Sequence, residues 1–352
     1  MKSSGWAKTS SYDYGSPVDP GRFLLGDAVL QDIMSSVAFK RLHDIRFLGG
    51  IDFVVVRSPN AKRIRYTRYQ HSVGVAYLAT IYADIKGLDI KERQTICIAA
   101  LLHDIGHAPL SHSLESVFLE YFGIEHHKAT EEIITGTAKI GEDLRAILKW
   151  RNVNIDRVLS VINGEENSFD GFFSGPINFD TIEGILRSYS YIKNAATNLR
   201  PDAVVRAAIE RCGDRSRRTV DAFWLHKDLV YTKLVNSQVG VLADRICKQI
   251  MEDHLALFSR NDFFSTETGL FEKLPELRKL LTSKNFIQTC SNKIHFPVPY
   301  AERRFYIDDA VDFYSKNDHS RYRQTKSPAF LILDESGLLE KDQEGRRTFF
   351  DG

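Results

Sequence analysis

Glu92-Arg93-Gln94-Thr95-Ile96-Cys97-Ile98-Ala99-Ala100-Leu101-Leu102-His103-Asp104-Ile105-Gly106-His107-Ala108-Pro109-Leu110-Ser111-His112 is the stretch on which the fold turns. From Ile96 to Leu102 it is apolar without a break. Ala99 and Ala100 let neighbours approach closely, so Glu92 to Leu102 reads as a buried helix. Gly106 is a plausible C-terminal stop, and Pro109 prevents a simple continuation. On the N-terminal side, Tyr69 to Lys86 carries Val73, Val75, Ala76, Leu78, Ala79 and Ile81 and predicts a second helix, with His71 near its start. Further out, apolar residues from Asp27 to Leu48 recur at helical spacing and predict one or two amphipathic helices. Gly49-Gly50 halts them, and Phe53 to Val56 forms a short β-branched segment before the basic stretch Lys62 to Arg68.

Toward the C-terminus, helices are expected at Ser111 to Phe122, Lys128 to Thr137, Glu142 to Lys149, Ile155 to Val161, Thr181 to Ser188 and Asp202 to Glu210. A longer one is expected from Val220 to Leu257 with little interruption. After Pro299 the composition turns strand-like, with Phe305-Tyr306-Ile307 and Ala329 to Leu333 ahead of the turn signal Glu335-Ser336-Gly337. The expected class is mainly α: an arm over 1–25, a helical domain over 26–260 and a smaller mixed α/β region over 261–352.

A chain of 352 residues, 43% apolar and 26% charged, can bury a sizeable core without disulfides. Cys97, Cys212, Cys247 and Cys290 form no CxxC pair, so neither a zinc knuckle nor a redox motif is expected. The 47 basic and 46 acidic residues nearly cancel, which does not favour a nucleic-acid partner or an anionic membrane; any anion site must be local. No apolar run approaches the ~20 residues of a membrane span, and Met1 to Ser11 lacks the apolar centre of a signal peptide. The expected location is cytoplasmic, with no membrane association.

His103 and Asp104 offer an imidazole and a carboxylate from one helix end, and His71 can supply a third group from another helix. Such a mixed nitrogen and oxygen set suits a divalent ion and leaves positions for water and a phosphate oxygen. A lone histidine on an apolar helix is more often structural. Here His103, His107, His112, His126 and His127 cluster around one carboxylate, which favours chemistry.

With these residues in place, the chain from about Asp27 to Gln249 resembles the HD-domain phosphohydrolases, especially the deoxynucleoside triphosphate triphosphohydrolases. Phe39-Lys40-Arg41-Leu42 and Phe47 to Gly50 are similar to the opening helix and glycine turn of that branch. Arg68-Tyr69-Gln70-His71-Ser72-Val73-Gly74-Val75 is similar to its first ligand motif, and Ala99 to His112 to its central motif, almost residue for residue. Ser174 to Ser188 is similar to its SGxxDADRxDYLxRD pattern, whose second Asp falls on Asp180; Asp170 and Asp244 are competitors.

The resemblance implies an HD helical bundle with one divalent metal ion, whether Mn, Fe, Co, Ni, Mg or Zn, held by His71, His103, Asp104 and Asp180. It implies that His112 and His126 handle protons, with Glu115 orienting an imidazole and His107 assisting. His126 is preferred to His127 because Thr130 then falls where the motif has a small hydroxyl residue. Arg68 matches a phosphate-contacting arginine. The implied substrate is a nucleotide, and the implied reaction is attack by metal-activated water that releases nucleoside and triphosphate. Homo-oligomers and nucleotide effectors are also implied, and the basic patch Arg211, Arg215, Arg217 and Arg218 is a candidate for either.

Departures from the branch concentrate where substrate would bind. Asn178, Thr181, Gly184 and Ser188 replace its Asp, basic residue, Tyr and Asp, and Val235 stands at its sugar-stacking tyrosine. Tyr231, Tyr189 or Tyr191 could replace that surface. Arg68, Asn178, Tyr231 and Ser188 are thus the expected substrate contacts, and an altered preference is implied. A nucleotide phosphatase or phosphodiesterase of changed specificity, or a nucleotide-sensing regulatory protein, are the alternative readings.

Overall fold

The computed structural model describes residues 26–55, 66–165, 168–192, 199–313, 321–333 and 339–342. The arm 1–25, the basic residues Lys62, Arg63 and Arg65, Val56 and the turn Glu335-Ser336-Gly337 lie outside the described residues.

The N-terminal helices are α1 (Ala28–Ser35), α2 (Val37–Arg41) and α3 (Gly50–Val55). The centre is built from α4 (Arg68–Lys86) and α5 (Ile90–Leu102), followed by α6 (His112–Phe122), α7 (His126–Thr135), α8 (Glu142–Trp150) and α9 (Ile155–Ile162). Then come α10 (Phe179–Tyr189), α11 (Pro201–Glu210), α12 (Gly213–Val230), α13 (Gln238–Asp253), α14 (Glu267–Lys273), α15 (Pro275–Leu281) and α16 (Phe286–Ser291). Strands β1 (Val298–Ile307), β2 (Tyr322–Leu333) and β3 (Leu339–Asp342) form an antiparallel sheet in the order β1-β2-β3.

The axis of the core is α4. Thr67 opens it with a reciprocal capping box to Gln70, and Gly87 closes it in the left-handed conformation. Every residue from His71 to Ala83 is buried, the signature of a helix enclosed on all sides. α5, α10 and α11 pack directly against it, and α12 joins α10 and α11 to the sheet. The sheet is fastened to α12 by Trp224, whose indole N–H donates to the carbonyls of Tyr306 and Arg323, and by Asp221 and Asp228, which pair with Arg321 and Arg304. Cys97, Cys247 and Cys290 are buried free thiols. Among the described residues no helix is long and apolar enough to cross a membrane.

Three expectations need correction. The β-branched run at Phe53 to Val55 lies in α3, because its packing against α13 outweighs a weak strand propensity. The expected long helix from Val220 to Leu257 is interrupted. Tyr231–Val235 is a π-helical turn, and Ser237 then caps a new helix by accepting from the Gly240 N–H at 3.0 Å. The strands are also longer than the apolar clusters suggested, since β1 begins at Val298 and β2 at Tyr322, taking in polar residues such as Arg304, Arg323 and Gln324.

Candidate metal centre and its cavity

Four side chains from three segments meet where α4, α5 and α10 converge. His71 comes from the first turn of α4, His103-Asp104 from the end of α5 and Asp180 from the first turn of α10, and one ligating atom of each lies within 4.8 Å of the others. The tautomers are set from behind. His71 Nδ1 donates to Glu183 Oε2 at 2.6 Å, and His103 Nδ1 donates to the Ala100 carbonyl at 2.8 Å. Each imidazole therefore presents the lone pair of Nε2 to the cluster. Both Nε2 atoms are buried and make no hydrogen bond, although His71 Nε2 lies 3.3 Å from Asp104 and 3.0 Å from Asp180. Two inward lone pairs beside two carboxylates are the donor set of a divalent cation, so the residues present fit one.

Electrostatics points the same way. Burial would lower the His71 imidazole, but the surrounding Asp104, Asp180 and Glu183 raise it to about 10, so the pocket demands a positive charge. Burial likewise opposes ionisation of Asp104, yet His103, His107 and Arg68 hold its carboxyl well below the usual carboxylate range. Arg68 Nη1 donates to Asp104 Oδ2 at 2.6 Å, and Arg68 Nε donates to Ser111 Oγ at 3.0 Å. Ser111 and Leu110 adopt positive φ, 49° and 59°, in the tight loop after Pro109, and strained backbone of this kind gathers where a site needs it.

A second group stands beside the first. Glu115, in the first turn of α6, accepts from His112 Nδ1 at 2.8 Å and from both His126 Nδ1 and, at 3.0 Å, the His126 backbone N–H. Burial disfavours the Glu115 charge, but the two imidazoles hold it far below the carboxylate range, and Glu115 in turn raises His126 against its own burial. His107 stacks on His126 with ring centroids 4.6 Å apart and sits 3.2 Å from Asp104. Gly106 makes this approach possible, since a Cβ there would strike the His126 carbonyl and Thr130. Thr130 Oγ1 accepts from the Gly106 N–H at 3.1 Å.

These groups open into a cavity of about 560 Å³ lined by Arg68, Asp104, His107, His112, His126 and Asp180 on one side and by Ser188, Lys227, Tyr231 and Val235 on another. Asn178 is not brought into it. Its side chain caps α10, accepting from the Thr181 N–H at 2.7 Å and donating to the Gly175 carbonyl at 3.0 Å, so its amide is already committed. His127 leans on His126 without lining the cavity. Asp170 is bound instead to Tyr82 and Lys86, at 3.0 and 2.6 Å, while Asp244 accepts from Ser113 at the cavity wall. Of the basic patch, Arg215 and Arg218 border a separate depression with Leu199, Thr219 and His226, and Arg217 pairs with Asp214.

Glu183 and Lys227 join the site without having been singled out from the sequence. Glu183 is fully buried between His71 and Arg187, and Gly74 makes room for it, because a Cβ at position 74 would strike its carboxylate. The signal was the placement of Glu183 one turn after Asp180 and one turn before Arg187. Lys227 is also nearly buried, which lowers its ammonium to about 8.

A family model of the HD domain matches residues 68–171 of the chain. Among curated relatives, the chain is similar to the "Uncharacterized protein YwfO" of Bacillus subtilis, 32% identical over 34% of this chain and 27% of that protein. It is also similar to the deoxynucleoside triphosphate triphosphohydrolase SAMHD1 homolog of Dictyostelium discoideum, 39% identical over 25% of this chain and 17% of that protein. The chain spans less than a third of the length of these relatives. A crystal structure of a hypothetical protein from Aquifex aeolicus shares the fold, with a TM-score of 0.58 at 18% identity over 90% of this chain and 87% of that one.

Proposed function

We propose that the chain is a metal-dependent phosphohydrolase acting on nucleotides, of the deoxynucleoside triphosphate triphosphohydrolase type, with the activity carried by residues 26–260. The observation that supports this most is the pair of buried, unbonded Nε2 atoms of His71 and His103 facing Asp104 and Asp180 at the edge of a cavity with proton-handling groups. A divalent ion bound there supplies Lewis acidity toward a phosphoryl oxygen and toward water. Arg68, fixed by Asp104 and Ser111, stands where it can steady a phosphate. His112 and His126 each have Nδ1 tied to Glu115, so Nε2 of either can deliver a proton to a leaving oxygen, a contribution of about 10² to 10⁴ in rate. Ser188 and Tyr231 line the cavity as candidate substrate contacts.

A second reading, a nucleotide phosphatase or phosphodiesterase of changed specificity, is favoured by Gly184. A Cβ at that position would already lie 3.2 Å from Phe47 and 3.6 Å from His71, where the related branch carries tyrosine. The purified chain, given Mn²⁺, Mg²⁺ or Co²⁺ and a panel of deoxynucleoside mono- and triphosphates, distinguishes the two. Release of intact triphosphate with nucleoside is expected. Stepwise orthophosphate selects the second reading, and no turnover with any metal refutes both.

A further inference from the structure

The far wall of the cavity contains groups with no part in the chemistry described above. On the β1–β2 ribbon Arg303 lies directly opposite Lys326, so both side chains leave the same face of the sheet. The next same-face residue along β1, Phe305, is buried against Trp224 and Tyr231, which turns this face toward the helices. Ala301, Arg303 and Lys326 accordingly line the same cavity as Asp180 and Lys227. Arg303 is anchored there: its carbonyl accepts from Asn236 Nδ2 at 2.9 Å, and its guanidinium donates to the Tyr231 hydroxyl at 3.5 Å.

Like charges directly opposed across a strand pair are destabilising. The neighbouring cations of the ribbon are neutralised, Arg304 by Asp228, Arg321 by Asp221 and Arg323 by Asp308. Among the described residues Arg303 and Lys326 have no carboxylate partner. Two opposed, unneutralised cations facing a cavity, with a third cation at Lys227, make an anion-binding arrangement: a planar fork beside a mobile point charge.

We propose that Arg303 and Lys326 form a clamp for a second phosphate group of a substrate whose first phosphate lies at the His71–Asp180 cluster, so that the preferred class is a nucleotide bearing two or more phosphates. The clamp rests on the reading that a phosphoryl group is held at that cluster. The test is calorimetric binding of inorganic tripolyphosphate and of orthophosphate to the full chain at matched free Mg²⁺, which needs no turnover. Relative to wild type, Arg303→Gln with Lys326→Gln is expected to weaken tripolyphosphate by about tenfold or more and orthophosphate by less than about twofold, whereas Arg303→Lys with Lys326→Arg keeps both. Equal weakening of the two anions, or of neither, overturns the clamp. Lys326→Gln alone removes no hydrogen bond seen among the described residues, so it should fold and shift tripolyphosphate in the same direction by less. If the calorimetric difference holds while no nucleotide is hydrolysed, the activity falls and the clamp stands. If nucleotides are hydrolysed and the neutral pair leaves kcat/KM for mono- and triphosphates unchanged, the clamp falls and the activity stands.

Discussion

Glu183→Gln removes one negative charge from behind the metal-facing imidazole while keeping the side chain's size. In the wild type, Glu183 accepts from His71 Nδ1 and from Arg187 on its other side, so donors face both oxygens. A glutamine amide must turn its NH₂ toward one of those donors, so either His71 or Arg187 loses the acceptor it has in Glu183. Loss of such a support typically costs 10- to 100-fold in metal affinity, or about 1.4 to 2.7 kcal/mol. The guanidinium of Arg187, 3% exposed, loses its carboxylate partner, and breaking a buried pair costs about 3 to 5 kcal/mol at the upper end. Its remaining bond to the Gln70 carbonyl, at 3.1 Å, should moderate that loss. Titrating Mn²⁺ into chelator-stripped protein measures the first effect, and the thermal midpoint measures the second. A folded variant that binds Mn²⁺ as tightly as wild type would refute the idea that Glu183 positions His71.

Three further outcomes are expected. In metal-free protein the His71 contribution to stability is complete below its ordinary value of 6.5 and fades as pH rises toward about 10, while that of Asp104 is lost as pH falls below 3.8. The thermal midpoint of chelated protein should therefore peak between pH 3.8 and 6.5 and decline on the alkaline side; a flat alkaline limb contradicts this. Glu115→Gln removes the group that raises His126, so the alkaline limb of the kcat profile should move to lower pH with its acid limb in place. An unmoved limb would remove His126 from proton transfer. Gly74→Ala places a methyl group against the Glu183 carboxylate and should weaken Mn²⁺ binding in the same direction as Glu183→Gln, whereas unchanged binding would show that the helix yields at no cost.

The helical class was legible because burial leaves a periodic trace: Ile96 to Leu102 and Val73 to Ile81 are apolar since they lie at the centre of the fold. The convergence of His71, His103, Asp104 and Asp180 is a tertiary fact, and local pattern pointed to it only through the length of the motifs around each residue. Glu183 was missed because a buried carboxylate inside an amphipathic helix looks like a surface residue until its partners on α4 are known. The π-turn at Tyr231–Val235 left no periodic signature, although Ser237 as a helix cap was a readable hint. Arg303 and Lys326 could not be placed at the cavity from sequence, since strand register and the face turned inward are set by packing on Trp224.

The order in which the site's parts appear along the chain has a consequence for biosynthesis. His71, His103 and Asp104 leave the ribosome well before Asp180 and Glu183, so a nascent chain halted between them exposes thirsty imidazoles without the carboxylates that complete the nest. On the proposed ligand set, capture of an ion would become tight only after α10 has docked on α4, so occupancy would report that the first half of the polypeptide has folded.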